Sequence, residues 1–159
     1  MGGARREGGN ITASAEFNVW ADPEAAHEVL CSGCPVVMFG LDVTHQVRAD
    51  DARIARIAAI GTPQADRAAA MMRFSERVER EIVGRDAPPV HDVCPVAWAL
   101  KPGLFELKPC RIRVETDSEL TRGHTAVEFR EAVAGALPHR WATTADADGV
   151  FDLIAEAVR

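Results

Sequence analysis

A chain of 159 residues with 47% hydrophobic residues suits one domain, or part of a larger one, with a real core. Its formal net charge of -6 argues against a non-specific nucleic-acid binder, which needs a basic face. No apolar run is long enough to span a bilayer and the opening MGGARREGGN has no apolar stretch of the signal-peptide kind, so a cytoplasmic protein without nucleic-acid or membrane partners is expected.

Residues 1–21 read as loop and carry Asn10, Glu16 and Asn18. Asp22-Pro23-Glu24 then marks a helix start: Asp22 can cap, Pro23 suits the first helical position, and Glu24 favours the positive end of the dipole. The helix PEAAHEVLCS should stop at Gly33. Val36 to Val43 is an apolar run broken only by Gly40 and Asp42, which suits a strand buried on both faces, as in a parallel sheet flanked by helices. Asp42 falls near its end, where ligand sites of such sheets gather, with Thr44 and His45 close behind.

ADDARIARIAAIG reads as a short amphipathic helix and PQADRAAAMMRFSERVEREIVG as a longer one. GRDAPPV is a loop, and HDVCPVAWALKPG restarts a helix with Val93, Val96, Ala97 and Leu100 on one face. CRIRVET alternates like a strand, DSELTRGHTAVEFR holds a turn and a further short strand, and DADGVFDLIAEAVR closes the chain as a helix. The pattern is α/β with a mostly parallel sheet, and no internal boundary interrupts residues 1–159. Only one strand looks strongly buried, and the glycine turn MGGA has no strand before it, as though the chain began in mid-fold.

Three clusters could carry chemistry. An ionised Glu accepts hydrogen bonds while each Asn donates and accepts, so Asn10, Glu16 and Asn18 suit a diol such as the 2′ and 3′ hydroxyls of ribose. The same residues also suit local work, as a Gly-Asn turn, an exposed Glu and a loop-positioning Asn. His91 and Asp92 open a helix after Pro88-Pro89; they are either a loop residue and an N-cap, or a proton donor beside an oxygen ligand for Ca²⁺ or Mg²⁺. Cys31-Ser-Gly-Cys34 with His91 and Cys94 offers a zinc set, though small apolar packing accounts for the cysteines as well.

Taken in order, MGGA…GGN…AEFN…DPEAAHEVL, then GLDVTHQV, then HDVCPVAWALKPGLFE resemble the inosine-uridine preferring nucleoside hydrolase family. The likeness continues through RIRVETDSELTRGHTAVEF and covers essentially the whole chain. It implies an α/β fold and hydrolysis of the N-glycosidic bond of ribonucleosides to ribose and free base. It implies that Asn10, Glu16 and Asn18 bind ribose hydroxyls, that Asp92 is a ligand of an active-site Ca²⁺, and that His91 matches the histidine implicated in leaving-base protonation in the purine-accepting members. A nucleoside is the implied substrate, and a homo-oligomer the implied assembly.

The family's Asp-x-Asp-x-x-x-Asp-Asp motif, which supplies most of the metal ligands and the water-activating base, is absent; Asp50-Asp51 fits a helix start instead. The chain therefore resembles the C-terminal half of such an enzyme. It is expected to hold Ca²⁺ weakly or not at all, and to lack activity without an N-terminal half. The alternative is a non-catalytic ribose- or nucleoside-binding module. An exposed apolar edge around Val36, Val37, Met38 and Leu41 is expected, favouring a partner, self-association or aggregation.

Overall fold

The computed structural model describes residues 1–159, the side chain of Ala134 excepted. In chain order the helices are α1 (Phe17–Ala21), α2 (Pro23–Cys31), α3 (Leu41–Thr44), α4 (Asp51–Ala58), α5 (Pro63–Val78), α6 (Val93–Leu100), α7 (Glu131–Ala134) and α8 (Ala147–Ala157). A π-helical turn, Glu79–Val83, extends α5, and a 3-10 turn, Pro102–Leu104, follows α6. The strands are β1 (Val37–Met38), β2 (Phe105–Val114), β3 (Thr125–Glu128) and β4 (His139–Ala145). The chain divides into two compact units, residues 1–44 with 105–145, and residues 45–104 with 146–159.

The first unit holds the sheet, in the order β1-β4-β2-β3. Only β1 and β4 run parallel, with Val37 opposite Arg140; β4–β2 and β2–β3 are antiparallel. The sheet is thus mixed, which corrects the expectation of a mostly parallel one. The reason is visible along β2, where Cys110, Ile112 and Val114 are buried while Arg113 is exposed. One-faced alternation belongs to antiparallel pairing, whereas strands of a parallel sheet read as continuous apolar runs.

The run Val36–Val43, apolar but for Gly40 and Asp42, makes two elements. β1 ends at Met38, and the chain turns at Gly40 into α3. A Cβ on Gly40 would lie 2.3 Å from the Trp141 ring and 2.8 Å from the Gly3 carbonyl oxygen, so only glycine allows the turn to pack there. Val43 and Thr44 N–H groups both donate to the Gly40 carbonyl. β1 is an edge strand, as expected there, with Leu41 fully buried and Val36, Val37 and Met38 half-buried beside it.

Val19, Leu30, Cys110, Ile112, Val114 and Trp141 form the core of this unit, with Ala26, Met38 and Phe129 packed against it. Helix α2 lays Ala26 and Leu30 on this core, while its Asp22 cap accepts from the Ala25 N–H at 2.9 Å. Phe39 and Phe105 meet edge to face at 5.2 Å.

The second unit is helical. α4 buries Ile54 and Ile57, and α8 buries Val150, Phe151 and Ala155. Arg53 lies over the Phe151 ring and pairs with Asp148, and Arg56 pairs with Asp152, so cations of α4 meet carboxylates of α8. Among the described residues no helix is long and apolar enough to cross a membrane.

Two predictions follow from this packing. Gly40→Ala should cost about 1–3 kcal/mol of stability through overlap with Trp141, read as a lower urea midpoint at unchanged slope. The second concerns pH. Burial pushes the Cys94 thiol up from 9.0 to about 12 and that of Cys110 from 9.0 to about 11. Folding favours the neutral thiols, so their contribution is whole below pH 9 and lost as pH rises through 11 and 12. Stability of the Cys94→Ala/Cys110→Ala variant should fall less steeply above pH 9 than that of the parent.

Candidate functional site

The glycine-rich opening of the first unit is held from several directions. Gly2 N–H donates to the Phe39 carbonyl and Leu41 N–H to the Gly3 carbonyl. Ala4 N–H donates to Thr125 Oγ1, whose hydroxyl donates back to the Ala4 carbonyl, each at 2.8 Å. Asp42 accepts from the Arg5 and Arg6 N–H groups at 2.9 and 2.7 Å. Asp42, on α3 rather than a strand, is therefore committed to holding this loop.

Glu16 is 2% exposed, not on the surface. Its Oε2 accepts from Gly3 N–H at 2.9 Å and Val19 N–H at 3.3 Å, and its Oε1 from Asn18 N–H at 2.9 Å. Asn10 Oδ1 accepts from Phe17 N–H at 2.8 Å, which leaves its Nδ2 group for an outside acceptor. Asn18 Nδ2 lies against Met1, 3.4 Å from the carbonyl oxygen, which leaves its Oδ1 for an outside donor. Both asparagines are exposed, beside the half-exposed rings of Phe17 and Trp20. The structure thus brings Asn10, Glu16 and Asn18 together at the start of α1: a buried carboxylate with two exposed amides around it.

In the second unit the segment before His91 is tied to residues 47–49. Val90 N–H donates to the Val47 carbonyl, Ala49 N–H to the Pro88 carbonyl, and Arg48 Nη1 to the Ala87 carbonyl at 3.0 Å. His91 is half-buried and its ring lies 5.7 Å from that of His45. A cleft of about 430 Å³, lined by Met71, Met72, Pro88 and Val93 among others, opens beside His91 and Asp92.

Asp92 occupies the N-cap position of α6 but makes no capping hydrogen bond. The contrast within the chain is direct. Asp22, Asp50 and Asp146 cap their helices through the side chain, each accepting an N–H three residues on. A capping side chain needs a non-helical backbone, whereas Asp92 has φ −74° and ψ −19°, already helical. Its exposed carboxylate is therefore held at a helix start without being used by the helix.

The zinc set is not assembled: among the described residues no group of three His, Cys, Asp or Glu side chains is placed to hold a metal ion. Cys94 is buried with its thiol donating to the Val90 carbonyl, while Cys31 and Cys34 are exposed. Calcium needs six to eight oxygens. Asp92 is a hard carboxylate suited to such an ion, and among the described residues it stands in no group of three His, Cys, Asp or Glu side chains.

Sequence reasoning missed the anchors. Thr125 and Arg48 act on loops far away in sequence, and only Gly3, packed against Thr125, signalled a close approach.

The family model for inosine-uridine preferring nucleoside hydrolase matches residues 1–152, and the chain belongs to this family. The chain is 42% identical over 160 residues to the pyrimidine-specific ribonucleoside hydrolase RihA of Shewanella baltica, covering 100% of this chain and 50% of that protein. It is similar in structure to a plant nucleoside hydrolase, with TM-score 0.89 and 27% identity over 99% of this chain and 51% of the other. A purine-preferring ribonucleoside hydrolase from Gardnerella vaginalis gives TM-score 0.86 and 27% identity, with 99% and 51% covered. The chain thus spans about half the length of the curated relatives it matches.

Because Glu16 satisfies buried N–H groups, Glu16→Ala should cost about 3 kcal/mol of stability. Asn10→Ala should cost about 1 kcal/mol, as for a lost cap, and Asn18→Ala less than about 0.5 kcal/mol. Chemical denaturation of the three variants checks the ranking.

Proposed function

We propose that residues 1–159 are the C-terminal portion of a nucleoside hydrolase domain, and that the chain serves hydrolysis of a ribonucleoside to ribose and free base. The observation that carries this reading is the family match across residues 1–152. The geometry of the two clusters supports it.

Breaking the glycosidic bond builds positive charge on the sugar, with an oxocarbenium-like transition state. In this proposal the Asn10 Nδ2 group donates to one ribose hydroxyl and Asn18 Oδ1 accepts from another. Glu16, held rigid by backbone N–H groups including that of Asn18, places a negative charge beside the ring. His91 gives a proton to the departing base. Asp92 is proposed as one metal ligand among several, the others lying outside this chain. Base preference is left open, because one relative is named pyrimidine-specific and another purine-preferring.

The chain lacks the aspartate motif, so the 159-residue form is proposed to be inactive until an N-terminal half supplies those carboxylates. The test compares this chain with a form extended upstream through the motif, using inosine and uridine with added Ca²⁺ and reading ribose release. Only the extended form should turn over. In that form His91→Ala should lower kcat by about 10²–10⁴-fold with little change in KM. Turnover by the short chain would refute the need for the second half. Nucleoside binding without turnover in both forms would favour the non-catalytic binding module.

A further inference from the structure

We propose that Cys31 and Cys34 form a reactive dithiol, which small anionic disulfides oxidise to an intrachain disulfide with His27 assisting the first step. Cys31 is the last residue of α2, and Cys34 follows after a turn in which Gly33 takes φ +87°. Both are exposed. His27 sits one helical turn before Cys31 on the same face, with its Nε2 3.5 Å from Sγ.

The state of His27 follows from its other nitrogen. Nδ1 is buried and has no hydrogen-bond partner. A buried N–H without an acceptor is rarer and costlier than an unused lone pair, so the ring proton belongs on Nε2, facing the sulfur. From there it donates to the Cys31 thiolate, which is the attacking species in thiol–disulfide exchange.

A cleft of about 460 Å³ in the first unit is lined by His27, Cys31, Arg111, Arg113, Pro138 and His139. Its two arginines favour an anionic reagent. His139 does not compete for the thiol, since its Nδ1 is engaged by the Val36 N–H and its Nε2 by the Leu30 carbonyl. Cys94 and Cys110 are buried and therefore protected.

The reaction balances without another reactant. The Cys31 thiolate attacks one sulfur of the small disulfide, forming a mixed disulfide and releasing one small thiolate, which takes the proton Cys31 lost. The Cys34 thiolate then attacks the Cys31 sulfur and expels the second small thiolate, which takes the proton of Cys34. Two protein thiols are oxidised, and one small disulfide is reduced to two thiols.

The test treats the whole chain with oxidised glutathione and maps products by mass spectrometry. A Cys31–Cys34 disulfide with Cys94 and Cys110 still reduced is expected. Cys34→Ser should stop at a glutathionyl adduct on Cys31. His27→Gln should slow the first step about tenfold at unchanged melting temperature. In the parent protein, iodoacetamide should alkylate Cys31 about tenfold faster than Cys34, a readout that does not depend on how the variant folds. Equal alkylation of the two thiols, an unchanged rate in a folded His27→Gln variant, or adducts that never resolve to the disulfide would overturn the proposal.

Discussion

The carboxylate of Glu16 is the interaction on which the first unit's site depends. A buried charge is costly unless hydrogen-bonded, and Glu16 meets that condition with backbone N–H groups from two separate segments. Gly3 belongs to the opening loop; Asn18 and Val19 belong to α1. One side chain thus joins the glycine-rich start to a helix of only five residues, too short to be stable alone. With Asn10 taking the Phe17 N–H, the first N–H groups of α1 are satisfied by side chains rather than water. The two exposed amides are consequences of this arrangement, because each stands next to a group that is already fixed.

The second unit solves a different problem. A loop ending in Pro88-Pro89 must deliver His91 and Asp92 to the start of α6 in a defined way. Backbone pairing with residues 47–49 and the Arg48 guanidinium on the Ala87 carbonyl do this. Asp92 arrives with helical dihedrals and so cannot cap. The helix forgoes a capping bond, a loss of the order of 1 kcal/mol, and the carboxylate is kept available. A residue that breaks a local rule without local compensation is where a functional requirement is expected.

Family membership rests on the match across residues 1–152, and the chain spans about half the length of its curated relatives. In the proposed reading, Asn10, Glu16 and Asn18 handle the sugar and His91 the base. Among the described residues no three His, Cys, Asp or Glu side chains gather to hold a metal ion, so that reading takes the water-activating groups from outside the chain.

Much of the helical structure was legible in the residues. Asp22-Pro23, the isoleucines of α4, and the closing DADGVFDLIAEAVR carry their own caps and periodicity, and each formed where local signals placed it. Family membership was legible as well, carried by ordered motifs that the family model matches across residues 1–152. Strand direction was not, because a short apolar run such as Val36–Val43 does not say which partner it meets. β4 escaped notice because HRWATTA takes its meaning from β1 and β2 on either side. The burial of Glu16 and the freedom of Asp92 were likewise decided only in three dimensions. A carboxylate's role depends on which N–H groups the rest of the chain brings to it, and those of Gly3 lie thirteen residues away in sequence.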